Sequence, residues 1–144
     1  VTPPVPDSYR FPKAGRLCNR RAFEYLFEHG SAIRVGVLKF FFVPNPPAEL
    51  CPEPLMVAFS APKRMFRRAV DRNHLKRRMR EAYRLHRHLL TAELHNREQR
   101  MLLLITFQRR QRVPYVAIAA DMVRGFHILK RRAISTRPAA DEDV

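Results

Sequence analysis

A chain of 144 residues is long enough for one domain with a proper core and too short for two comfortable ones. Its 28 Lys and Arg against 13 Asp and Glu leave a formal charge of +15, a self-repelling surface most simply balanced by a polyanion, with nucleic acid ahead of an anionic membrane. No apolar run approaches the roughly 18 to 20 residues that span a bilayer, and Val1–Asp7 lacks a signal-peptide pattern, so no membrane partner and a cytoplasmic location are expected.

Residues 1–15 carry Pro3, Pro4, Pro6 and Pro12 and predict an extended surface segment, in which Tyr9, Phe11 and Lys13 read as linker. Asn19 can cap a helix over about 19–29 whose Phe23, Leu26 and Phe27 share a face, with Gly30 closing it in a left-handed conformation. Ile33–Val43 is β-branched and aromatic with Arg34 and Lys39 interleaved, and Gly36 divides it into two strands or marks a bulge. Pro44, Pro46 and Pro47 end that run. Asn45–Pro54 then reads as the flexible tip of a hairpin, and Leu55–Ala61 as a strand leading into Pro62.

A second helix is predicted over about 67–90. At about 100° per residue Leu75, Met79, Ala82, Tyr83, His86 and Leu90 gather on one side, and Asn73, Lys76, Arg77, Arg80, Arg84 and Arg87 on the other. Met101–Phe107 is an unbroken apolar run bounded by charges, the pattern of a strand buried on both faces. Pro114 suits the first turn of a third helix in which Tyr115, Ile118, Ala119, Met122, Phe126 and Leu129 repeat at three- and four-residue steps. Lys130, Arg131 and Arg132 suit its C-terminal dipole. From Arg137 a tail containing Asp141, Glu142 and Asp143 is expected to fray.

The order helix, strands, helix, strand, helix predicts an α+β fold, an α-β sandwich on a mainly antiparallel sheet of about four strands. The folded domain is expected over 16–132, between the extended segment 1–15 and a flexible, acidic-ended tail over 133–144. Cys18 and Cys51 stand outside any CxxC or His-containing metal spacing and are read as free thiols. His86 and His88 lie about 200° apart on a helix, so a shared metal is not expected. With no HExxH, nucleophile elbow, Walker loop or tight carboxylate cluster, the chain is expected to bind rather than to cut.

The most informative stretch is 63–80, where Lys63, Arg64, Arg67, Arg68, Arg72, Lys76, Arg77, Arg78 and Arg80 face a single carboxylate, Asp71, within a pattern that keeps an apolar stripe. A basic tail attracts phosphates without discrimination; a helix holds its cations at fixed spacings and recognises the shape of a polyanion.

The segment Val57–Arg84, VAFSAPKRMFRRAVDRNHLKRRMREAYR, resembles the signature of the protein subunit of bacterial ribonuclease P. It combines a strand running to the basic pair Lys63-Arg64, the Ala69-Val70 step, and Arg72-Asn73 followed by Lys76-Arg77 and Arg80. Arg16-Leu17, Phe23, Phe27 and Gly30 agree with the family's first helix, and the resemblance extends over about 16–132. Where the family carries Arg-Asn-Arg, this chain has His74 in third position, which weakens one expected phosphate contact.

The resemblance implies a sandwich with a left-handed βαβ crossover, of the ribosomal protein S5 domain 2-like kind. It implies an RNA subunit that uses Mg²⁺ to release the 5′ leader from precursor tRNA, and a protein that binds no cofactor by itself. Lys63, Arg64, Arg67, Arg68, Arg72, Asn73, Lys76, Arg77 and Arg80 are the expected contacts to the RNA subunit and nearby substrate. Arg16, Phe23, Phe27 and Phe41 are the expected leader cleft, although aromatics at i, i+4 serve core packing equally well. Charge and fold alone also fit a noncatalytic ribosomal or RNA-chaperone protein. A DNA-binding regulator is a further alternative, but strands separate the first two helices, so no compact helix-turn-helix is evident.

Overall fold

The strand Met101–Phe107 takes the middle of the sheet, because only there is a strand covered on both faces and paired on both edges; all seven of its residues are buried. The computed structural model describes residues 15–134, so Tyr9, Phe11, Lys13 and the tail from Arg137 lie outside the described residues. In chain order the elements are α1 (Arg20–His29), β1 (Ser31–Val35), β2 (Leu38–Pro44), β3 (Leu55–Ser60), α2 (Ala69–His86), α3 (His88–Asn96), β4 (Met101–Phe107) and α4 (Tyr115–Leu129), with a π-helical turn over Lys130–Ile134. The sheet order is β1-β2-β4-β3. β1 with β2 and β2 with β4 are antiparallel, whereas β3 runs parallel to β4. This is the mainly antiparallel four-stranded α+β architecture expected, with β3 and β4 joined through α2 and α3 as one βαβ unit.

Alternation along the strands separates two cores. Phe40, Phe42, Val57, Leu103 and Ile105 face α2 and α4, among Leu75, Met79, Tyr83, Met122 and Phe126. Val43, Met56, Leu102 and Leu104 face the other way, against Leu17, Ala22 and Leu26 beneath α1.

Gly36 does divide the first β run: Val35 pairs with Leu38, leaving Gly36-Val37 as a two-residue turn with Gly36 at φ 59°. The expected hairpin over 45–54 is corrected. β2 and β3 do not pair; β4 lies between them, so this segment crosses the start of β4. Met101 N–H donates to the Pro54 carbonyl (2.9 Å) and Asn45 N–H to the Arg100 carbonyl (2.7 Å), and Leu50 and Cys51 are buried in the loop.

Gly30 is corrected too. It has φ −87° and ψ 172°, an extended rather than left-handed end to α1. Glycine fits because of space: a Cβ there would stand 2.5 Å from the Leu26 carbonyl oxygen and 2.8 Å from that of Phe42. Asn19 caps α1 as expected, its side chain accepting from Arg21 N–H.

The single helix expected over 67–90 is two helices joined at Arg87, and the second continues to Asn96. The Arg87 N–H still reaches the Tyr83 carbonyl (2.7 Å), and Leu90 and Thr91 restart on the Arg87 carbonyl. No proline or glycine lies there; beyond the break Leu90 and Leu94 pack in the same core as Tyr83. Pro114 stands at the N-cap of α4 rather than in its first turn. Ala133 and Ile134, expected in the flexible tail, are buried in the core.

Candidate nucleic-acid interface

The geometry of α2 follows from its phase. Leu75, Met79, Ala82 and Tyr83 are buried, which turns Asn73, Lys76, Arg77 and Arg80 to one flank and His74 and Arg78 to the other. His86, expected with the apolar side, is only half-buried; its own burial, and then His88, hold its imidazole below the usual range. Asp71 lies in the first turn, where a carboxylate suits the helix dipole, and forms an ion pair with Arg112 from beyond β4.

The junction before α2 presents Lys63, Arg64, Arg67 and Arg68 to solvent. Arg72 is different. Its Nη1 donates to the carbonyls of Phe66 (2.9 Å) and Arg67 (2.8 Å), so this guanidinium ties down the junction that carries the other cations. His74 Nε2 accepts from Arg78 Nε at 3.0 Å; the residue that departs from the family pattern thus orients a neighbouring arginine.

Against the Lys76 and Arg80 flank runs the outer edge of β3. The chain ahead of α1 docks there, Arg16 forming a parallel bridge with Val57 and Leu17 N–H donating to the Val57 carbonyl at 2.9 Å. The result is a cleft of about 340 Å³ lined by Arg16, Leu17, Cys18, Val57, Ala58, Phe59, Lys76 and Arg80. Arg16 was expected beside the phenylalanines; it lines this cleft with the helix cations instead.

The phenylalanines form a cluster of their own. Phe23 stacks on Phe27 (centroids 6.5 Å apart, 18° between planes), and Phe27 meets Phe41 edge-on (5.7 Å, 76°). Phe27 is 59% exposed, while Phe23 and Phe41 are half-buried against the core beneath α1. Lys39 Nζ lies 4.8 Å from the Phe41 ring centroid. Lys39 was not singled out as a site residue, although period-2 alternation puts it on the same face as Phe41. A half-open aromatic surface with an ammonium beside it has the ingredients for stacking a base and neutralising its phosphate. Among the described residues no three His, Cys, Asp or Glu side chains gather to hold a metal ion, and no helix is long and apolar enough to cross a membrane.

A sequence model described as Ribonuclease P matches residues 11–130. The ribonuclease P protein component of Chlorobaculum tepidum is 38% identical over 84 residues, 58% of this chain and 54% of its own length. That of Porphyromonas gingivalis is 36% identical over 93 residues, 65% of this chain and 66% of its own. The chain thus spans between about half and two thirds of these curated relatives. The solved structure of Staphylococcus aureus RNase P protein matches with a TM-score of 0.61 over 86% of this chain and 100% of that one, at 17% identity, a likeness of fold.

Proposed function

The chain belongs to the ribonuclease P protein family, and from that premise we propose that it binds the catalytic RNA subunit of ribonuclease P and assists removal of the 5′ leader from precursor tRNA. In this reading Asn73, Lys76, Arg77 and Arg80 on α2, with Lys63, Arg64, Arg67 and Arg68 at the junction, meet RNA phosphates. Arginine suits that task through its bidentate fork. Arg72 contributes by fixing the junction through its two carbonyl contacts.

The single-stranded leader lies on Phe27 and Phe41, with Lys39 and the Arg16 cleft available to its backbone. Bond cleavage belongs to the RNA subunit, and Mg²⁺ belongs with that RNA. The observation that carries the reading is the position of Lys76 and Arg80: on a helix whose apolar back is locked into the core, they line one cleft with Arg16. Fixed cations of this kind recognise a folded polyanion rather than any polyanion.

Reconstitution tests it. The purified chain, added to a bacterial ribonuclease P RNA at low Mg²⁺, is expected to raise the rate of 5′-leader removal from precursor tRNA. No effect on that cleavage, with RNA binding retained, would instead favour a noncatalytic RNA-chaperone or ribosomal role.

A further inference from the structure

Because β3 and β4 are parallel, their C-terminal ends emerge together, and the segments that follow them, 61–68 and 108–114, leave the sheet from the same end. The β1–β2 turn reaches the same end: Leu38 pairs with Phe107, and Gln108 N–H donates to the Val37 carbonyl at 2.7 Å. Exposed here are Lys63, Arg64, Arg67 and Arg68 from one segment and Arg109, Arg110 and Arg112 from the other.

These cations are held by the fold. Phe66 packs against Phe107 with ring centroids 5.8 Å apart, Arg72 anchors the Phe66 and Arg67 carbonyls, and the Asp71–Arg112 ion pair links the second segment to α2. The nearby carboxylates are already engaged, Asp71 by Arg112 and Asp121 by Val37 N–H and Arg124.

We propose that this end of the sheet is a second phosphate-binding surface, in which Arg109 and Arg110, sent out of the same end of the sheet as the segment that carries Lys63, Arg64, Arg67 and Arg68, grip the backbone of a base-paired segment of the RNA subunit. The inference rests on the RNA-binding reading above, which already assigns the junction cations Lys63, Arg64, Arg67 and Arg68, and adds to it the segment after β4, with Arg109 and Arg110, away from the aromatic cluster. A duplex is the occupant because the surface offers guanidinium groups without an exposed ring to stack on: among the described residues the largely exposed aromatic is Phe27, in the cluster under α1, and the half-buried Tyr115 that follows the second segment turns its hydroxyl inward, near Glu81 and Arg84 of α2. Double-stranded RNA hides its base faces and presents phosphates, whereas single strands are held by stacking.

The test uses the full chain with a bacterial ribonuclease P RNA subunit, measuring affinity against salt concentration. An Arg109→Ala/Arg110→Ala double variant is expected to bind more weakly, with a salt slope shallower by about two, and to leave unchanged the gain in affinity that a longer leader gives precursor tRNA. Asp71→Asn is the sharper probe. It removes a negative charge, so diffuse attraction predicts tighter binding, whereas loss of the Arg112 tether predicts weaker binding. An unchanged slope in the double variant, or tighter binding by Asp71→Asn, overturns the proposal. If Arg77→Ala still weakens binding in that case, only this surface falls; if the unaltered chain does not bind the RNA subunit, the functional reading falls with it.

Discussion

Two arginines five residues apart on α2 illustrate how little residue type says about role. Arg72 is half-buried and donates to two carbonyls, whereas Arg77 is exposed on the cationic flank. Arg72→Ala should therefore lower stability in urea unfolding by about 1.5–3 kcal/mol, the range for hydrogen bonds from charged groups. Arg77→Ala should leave stability unchanged within about 0.5 kcal/mol and flatten the salt dependence of RNA binding by about one contact. The two cysteines divide similarly. Burial pushes the Cys51 thiol up to about 11, while Cys18 is exposed. Cys18 should react with an alkylating reagent in the native protein and Cys51 only after unfolding. Because the folded state holds the Cys51 proton more tightly than the unfolded chain, its contribution to stability is complete below about pH 9 and is lost as pH rises toward 11.

At the scale of the element, α1 is amphipathic in an incomplete way, and the incompleteness is the candidate function. Leu26 is 1% exposed and Phe27, one residue on, is 59% exposed. Leu26→Ala should cost about 2–5 kcal/mol of stability through the cavity it leaves. Phe27→Ala should cost only about 1–2 kcal/mol, from its ring contacts with Phe23 and Phe41, yet weaken binding of leader-bearing precursor tRNA relative to mature tRNA by about 1–3 kcal/mol, the worth of one stacked base. Equal weakening of both substrates would move Phe27 out of the leader path. The helix ends where Gly30 passes between two carbonyl oxygens, so Gly30→Ala should be destabilising by about 1–3 kcal/mol in thermal unfolding despite a backbone conformation that alanine adopts freely.

For the whole molecule, a formal charge of +15 is a standing repulsion that a bound polyanion relieves. A ligand that binds the folded state alone raises its stability by mass action, so a stoichiometric RNA subunit should raise the Tm of the chain, and the rise should shrink as salt increases. A Tm that is indifferent to RNA at low salt would separate the charge from any binding role. The topology adds what charge alone lacks. The parallel β3–β4 pair sends two arginine-bearing segments out of one end of the sheet, and β3's outer edge runs beside the Lys76 and Arg80 flank of α2.

Local pattern determined most of the elements. Asn19 marks the start of α1, Gly36 divides the first β run, the apolar run Met101–Phe107 marks the central strand, and the spacing of Leu75, Met79, Ala82 and Tyr83 sets which way the α2 cations face. In each case the signal lies within one or two turns, or one strand, of the residue it specifies. What depended on distant partners was not legible in the sequence: that β4 would lie between β2 and β3 and abolish a hairpin, that the helix after residue 68 would restart at Arg87, and that Gly30 would serve a close approach rather than a left-handed turn. The site divides along the same line. That α2 would carry cations on a packed helix was written in its periodicity. That Arg72 would turn back to the Phe66 and Arg67 carbonyls depended on the path of the junction before the helix, which periodicity does not describe, and that Arg16 would meet Lys76 and Arg80 rather than the phenylalanines was decided only when its bridge to Val57 brought residues more than forty positions apart onto one edge. Pairing of strands and docking of helices are set by the summed burial of two whole faces, a quantity that no window of neighbouring residues contains.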